Sequence, residues 1–285
     1  MEKQKRFDPL NDFLFYKVMG EKGNEPQLLG FLNAVLGQSG RKPIETLEIQ
    51  ESRDFVKELQ EGKSCTLDVK AVLSDRTKVN IEVQLQDECN IARRSLFYWS
   101  KLYTEDMMEG HDYSQLPDTI AINIVGFGFL PSRKVHTCFR LREDDDADTV
   151  LTSALEIHFV DMVKWRKQQD KDLVNNPLHR WLVWLDKRSP PEMVEEVKRM
   201  DNAIMAANNK QAFAMQDRET RRLYEMRQKV EWDRISSLNG ARLEGERKGK
   251  IETAKRMKIK GYPMSEITEV TGLEAEDIVS FGNAE

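Results

Sequence analysis

Hydrophobic and polar positions alternate with period two over two neighbouring stretches of the chain. In Thr66–Leu73, the apolar Leu67, Val69, Ala71 and Leu73 alternate with Thr66, Asp68 and Lys70. In Lys78–Gln86, Val79, Ile81, Val83 and Leu85 alternate with Asn80, Glu82, Gln84 and Gln86. This alternation predicts two half-buried strands, and Ser74–Thr77 supplies turn residues, so an antiparallel hairpin is expected. Thr119–Phe127 is almost continuously apolar, as in a strand covered on both faces. Residues 44–59 predict one or two strands with charged interruptions. Residues 135–142 and 155–160 are weaker strand candidates.

Apolar residues recur at helical spacing elsewhere. Phe7–Gly20 opens with Pro9 and places Phe13, Leu14 and Val18 together; Glu25–Leu36 repeats the pattern before Gly37. Asn90–Glu109 reads as a helix ended by Gly110. Beyond Asp161 the chain reads mostly helical, with Trp165, Trp181 and Trp184 as packing residues. Asn208 to Lys258 is long, polar and helix-prone, and the regular spacing of Gly240, Gly245 and Gly249 suggests close packing or flexibility. In the tail, Ile251–Lys260 forms a helix closed by Gly261. Ser265 caps a short helix ended by Gly272, and Glu274–Phe281 starts another, in a helix-turn-helix-like outline. The order of elements predicts an α/β layer arrangement with a mixed central sheet flanked by helices and a helical C-terminal region. Three parts are expected: residues 1–205, a charged helical extension over 206–250, and a small unit over 251–285.

Composition narrows the class. The chain has 285 residues, 39% hydrophobic and 33% charged, with a net charge of −5. No apolar run reaches membrane-spanning length, and Met1–Phe7 lacks the apolar core of a signal peptide, so a cytoplasmic protein without a membrane partner is expected. Cys65, Cys89 and Cys138 form no CxxC or Cys/His cluster in sequence, and His111, His136, His158 and His179 are scattered; neither set predicts structural zinc. Charge is uneven: Glu143–Asp148 holds five carboxylates in six residues, while residues 217–260 hold 14 Lys/Arg against 8 Asp/Glu. The basic stretch is equally compatible with a nucleic-acid face and with a helix laced by ion pairs.

The hairpin carries the candidate chemistry. Asp68 faces away from Leu67, Val69 and Ala71; Glu82 and Gln84 face away from Ile81, Val83 and Leu85. If the two apolar faces coincide, Asp68, Glu82 and Gln84 converge on one polar face, and a 14-residue separation places Asp68 nearly opposite Glu82. Two close carboxylates repel unless a cation intervenes, and Mg²⁺ or Mn²⁺ prefers such oxygen ligands. Exposed acids alternating on a hairpin are also ordinary, so spacing leaves a plain surface reading open. Asp12 reads as a helix cap or a site-adjacent acid. Arg93 or Arg94 reads as a phosphate clamp or a surface ion pair, and Tyr98 and Tyr103 as packing residues.

Asp68 followed by Glu82-Val83-Gln84 resembles the PD-(D/E)xK nuclease signature in an E-x-Q form. The resemblance extends to the Rpn family of recombination-promoting nucleases, also labelled transposases. It is carried by Asn11–Lys17, Leu28–Leu36, Ile81–Gln86, Arg94–Tyr98 and Leu116–Ile124, with Ala241–Gly245, Gly249–Ala254 and Gly261…Ile267…Thr271-Gly-Leu273 in the tail. The resemblance implies a restriction-endonuclease-like core and a Mg²⁺- or Mn²⁺-dependent DNA endonuclease. Asp68, Glu82 and the Val83 carbonyl would bind metal, Gln84 would orient water or phosphate, and Asp12 and Arg94 would stand beside the site. Gln84 stands where the common signature has lysine, which removes a positive charge from the site. The rival readings are a catalytically weak or inactive DNA-binding or oligomerising protein on the same fold, and phosphodiester chemistry on RNA.

Overall fold

The structure, a computed structural model, describes residues 6–50, 68–108, 110 and 112–280. Its centre is a six-stranded mixed sheet, built from β1 (Leu47–Gln50), β2 (Val69–Leu73), β3 (Lys78–Gln84), β4 (Thr119–Val125), β5 (His136–Phe139) and β6 (Leu155–Asp161) in the order β1-β2-β3-β4-β6-β5. β1, β2 and β3 pair antiparallel; β3, β4 and β6 run parallel; β5 returns antiparallel along β6. The expected hairpin is β2–β3, with Val69 opposite Ile81 and Ala71 opposite Val79. Thr66 and Leu67 lie outside the described residues, as do positions 51–59 of the first predicted strand region. β4 is buried at every position, in keeping with its continuous apolar run. β6, a weak candidate by sequence, is an inner strand whose polar Glu156 and His158 interrupt the apolar pattern yet are buried.

One sheet face carries the main core. The helices α1 (Asp12–Met19) and α2 (Glu25–Leu36) pack there, with Phe13, Leu14, Phe31 and Leu32 in one cluster with Ile81, Ile122 and Val160. Asn11 caps α1 by accepting from the Leu14 amide. The helices after β6 join the same cluster: α4 (Met162–Lys167), α5 (Pro177–Leu185), α6 (Pro191–Met200) and α7 (Asn202–Ala214). Trp165, Trp181 and Trp184 are fully buried, as packing residues should be. On the opposite face, α3 (Ile91–Thr104) covers a smaller cluster of Ile91, Ala121, Val125, Ile157 and Phe159. α3 ends at Thr104, five residues short of the expected end. Its last carbonyls meet Lys78, which donates to Leu102 O at 3.3 Å and pairs with Asp106 at 2.5 Å.

Two compact units divide at Arg227/Gln228. The expected break after residue 205 falls inside α7, and that after 250 falls inside α8 (Arg218–Ile259). α8 runs 42 residues through Gly240, Gly245 and Gly249. A Cβ at any of these three would meet nothing within 4 Å, so they are not close-packing positions. A helix tolerates such exposed glycines at about 1 kcal/mol each. In the second unit, α9 (Met264–Thr271) and α10 (Ala275–Ser280) fold back on the end of α8, with Ala254, Ile267 and Ile278 buried beside Met257, Met264 and Leu273. Of the tail's apolar residues, Met257, Ile267, Leu273 and Ile278 thus find partners within their own unit, whereas Ile259 and Val270 are exposed. Pro263, not Ser265, precedes the first turn of α9, with no side-chain cap. Gly272 closes α9 at φ +62°, where a β-carbon is unfavourable.

Candidate active site

The β2–β3 register continues past Val69 and Ile81 to bring Asp68 opposite Glu82. Antiparallel partners share a face, so Asp68, Lys70, Asn80 and Glu82 all lie on the α3 side, and Gln84, two residues on, joins them. Glu82 is 2% exposed, and Asn80 and Gln84 are buried as well. The neighbouring strand adds Asn123 beside Glu82, tied by Ser95 Oγ at 3.0 Å to α3.

Burial sets the electrostatics. Asp68 Oδ1 is buried without a hydrogen-bond partner among the described residues. Desolvation, then the facing Glu82, push the Asp68 carboxyl up to about 7, while Lys70, Arg94 and Asn80 pull the other way. Burial also raises Glu82, opposed by Arg94. Arg94 donates to Glu82 Oε1 from Nε at 2.8 Å and from Nη2 at 2.5 Å, and its guanidinium stacks over the Tyr98 ring at 4.9 Å. Of the two readings for this arginine, the ion pair is what the fold makes, though buried rather than superficial. Tyr98, read as packing, supports that arginine. Arg93 is exposed.

The remaining candidates are placed as follows. Gln84 donates from Nε2 to Gln86 O at 3.3 Å. Val83, between Glu82 and Gln84, packs its side chain against the main core. Asp12 opens α1 and accepts from Arg227 Nε at 3.1 Å as well as from the Phe13 amide. Lys70 escaped the sequence reading. Its spacing of two from Asp68 on an alternating strand was the available signal, and its Nζ pairs with Glu105 at 3.1 Å.

A hard divalent cation fits this donor set. Two carboxylates face each other under desolvation, and one presents an orphaned oxygen whose burial carries a cost unless a proton or a cation meets it. A cavity of about 580 Å³ opens elsewhere, against β5 and α5.

A mixed sheet flanked by helices, with a hairpin that presents paired acids beneath one helix, defines a nuclease-like α/β protein. The family model for the PD-(D/E)XK nuclease family transposase matches residues 9–241, and the chain belongs to that family. No curated protein and no solved structure matches the chain. No helix among the described residues is long and apolar enough to cross a membrane.

The sheet also gathers residues that sequence reasoning left apart. His136 and Cys138 on β5 face Glu156 and His158 on β6. The expectation of scattered histidines and no Cys/His cluster is therefore corrected. Positions some 20 residues apart meet because an antiparallel return pairs Cys138 with His158.

Proposed function

We propose that the protein is a Mg²⁺- or Mn²⁺-dependent DNA endonuclease, with Asp68 and Glu82 as metal-holding carboxylates, the Val83 carbonyl as a further ligand, and Gln84 as the group that orients water or phosphate. The observation that carries this reading is Asp68 itself: a carboxylate opposite a second one, with a buried oxygen that no described residue satisfies. A divalent ion there would supply Lewis-acid polarisation of the phosphate and a more acidic water. Arg94 favours the ionised form of Glu82 against the burial that raises its pKa and orients it through Oε1, and Tyr98 keeps Arg94 in place. Lys70 supplies positive charge on the same face, partly offsetting the absence of lysine at position 84. The basic stretch over 217–260 would add phosphate contacts. DNA rather than RNA is the substrate class favoured by the family, and the basic groups contact only the phosphate backbone that both share.

The test is nicking of supercoiled plasmid with Mg²⁺ or Mn²⁺, with a matched RNA digestion alongside. Wild-type protein should nick DNA, and Asp68→Ala and Glu82→Ala should lose at least about 100-fold, on the scale of losing an electrostatic group from a hydrolytic site. Equal rates for wild type and Asp68→Ala would sink the assignment.

The second reading is a DNA-binding or oligomerising protein without catalysis. Its support is that Glu82 is already neutralised by Arg94 and that the signature lysine is glutamine. Salt-sensitive DNA binding unchanged by Asp68→Ala, with no metal-dependent nicking, would favour it.

A further inference from the structure

On the opposite face of the sheet from Asp68, we propose a second metal site, of the zinc type, with Cys138 Sγ, Glu156 Oε1 and His158 Nε2 as ligands and His136 as the residue that orients His158. The register places these residues on the main-core side. Cys138 pairs with His158, and Glu156 is two residues earlier on the same strand face. The three donor atoms lie close together: Glu156 Oε1 to His158 Nε2 at 2.7 Å, Cys138 Sγ to Glu156 Oε1 at 3.7 Å, and Cys138 Sγ to His158 Nε2 at 3.9 Å. Tetrahedral zinc with ligand bonds of about 2.0 to 2.3 Å sets its donors roughly 3.3 to 3.6 Å apart. The carboxylate and imidazole need to part by about half an ångström, and the thiol needs to close by a few tenths, to reach that spacing.

The surroundings select the ion class. A thiolate, an imidazole and one carboxylate suit zinc-like ions, whereas Mg²⁺ favours an all-oxygen shell. His158 is fully buried, and its Nδ1 meets His136 Nε2 at 2.8 Å. If Nδ1–H donates to His136, Nε2 is left with its lone pair toward the ion, the usual arrangement behind a metal-bound histidine. His136 Nε2 is placed to take the acceptor role, since its ring stacks against that of His158 with the two nitrogens within hydrogen-bond reach. Three protein ligands leave one position, and Cys138 and His136 line the cavity of about 580 Å³ from which a water could fill it.

Positive charges oppose the ion and limit its affinity. Arg140 reaches Glu156 Oε2 from Nε at 3.4 Å and Oε1 from Nη2 at 3.0 Å, Arg41 Nη1 lies 3.7 Å from Oε2, and Lys134 acts on His136. Ser39 Oγ also donates to Oε1 at 3.1 Å. Ligation through Oε1 displaces Ser39 and one arginine contact, while Oε2 keeps both guanidiniums. The Cys138 thiol gives up its proton on binding an ion, so affinity falls as pH falls.

The test uses the full chain, treated with chelator under reducing conditions and titrated with Co²⁺ as a spectroscopic stand-in for zinc. The expected result is a thiolate-to-cobalt charge-transfer band that saturates at one thiolate-bound Co²⁺ per chain, bleached by Zn²⁺ and not by excess Mg²⁺. The band should persist in Asp68→Asn, which keeps this result separate from the fate of the nuclease reading. It should vanish in Cys138→Ala and in Cys138→Ser, and His136→Phe should weaken binding about 10- to 100-fold. Absence of the band in wild type overturns the site, as does its survival without the Cys138 thiol.

Discussion

At the residue scale, Asp68 is held against its ordinary chemistry. A carboxyl whose pKa rises to about 7 on folding contributes stability that is present at low pH and lost as pH rises through about 7. Metal-free protein should therefore lose stability as pH rises from about 4 to 7, with no further loss from this group above that range. Asp68→Asn should remove that loss and gain about 1–3 kcal/mol at pH 8 while abolishing nicking, as read by thermal melts across pH. Mg²⁺ or Mn²⁺ should restore wild type at pH 8 and leave Asp68→Asn unmoved. Arg94 presents the converse case. Its removal leaves Glu82 buried and uncompensated, so Arg94→Ala should cost about 3 kcal/mol in denaturant unfolding. Adding Glu82→Gln to that variant should recover much of the loss, whereas a loss unchanged in the double variant would mean that packing on Tyr98, not charge, is what Arg94 supplies.

At the scale of elements, alternation made β2 and β3 legible because each strand turns its apolar residues to one face, although the polar face of β3 is buried too, and the apolar run made β4 legible because both of its faces are covered. The Asp68–Glu82 juxtaposition followed from the same alternation. β6 was harder, since Glu156 and His158 break an apolar pattern that only cross-strand partners on β5 and the arginines make tolerable. The His/Cys/Glu cluster was illegible for that reason: spacing along the chain carries no sign of a strand that returns antiparallel. The pairing of Arg94 with Glu82 depends on how α3 lies across β3, which periodicity does not fix. Helix contacts give a direct check on the packing. A β-carbon at Gly30 on α2 would lie 2.4 Å from Ala203 Cβ on α7. Gly30→Val should therefore cost about 1–3 kcal/mol by overpacking, measured by urea unfolding; a neutral result would contradict the close approach of those helices. In the second unit, Ile267→Ala should cost about 2 kcal/mol locally, seen as faster amide exchange in α9 and α10 with β3 and β4 unchanged.

At the scale of the whole molecule, one sheet presents two chemically distinct clusters on opposite faces. The oxygen-rich pair lies on β2 and β3; the sulfur- and nitrogen-bearing group lies on β5 and β6, with β4 between them. β3 and β6 are separated by two strand spacings, roughly 10 Å, so changes at the two clusters should be nearly additive in stability. Family membership supports a nuclease-type function, and the acids beneath α3 are the site proposed for it. Calorimetric titration of chelator-treated protein with Mn²⁺ tests that site most directly, run in Cys138→Ala so that the second cluster does not contribute. The account predicts binding that is lost when Asp68→Asn is added. Unaltered Mn²⁺ binding in that double variant would contradict it.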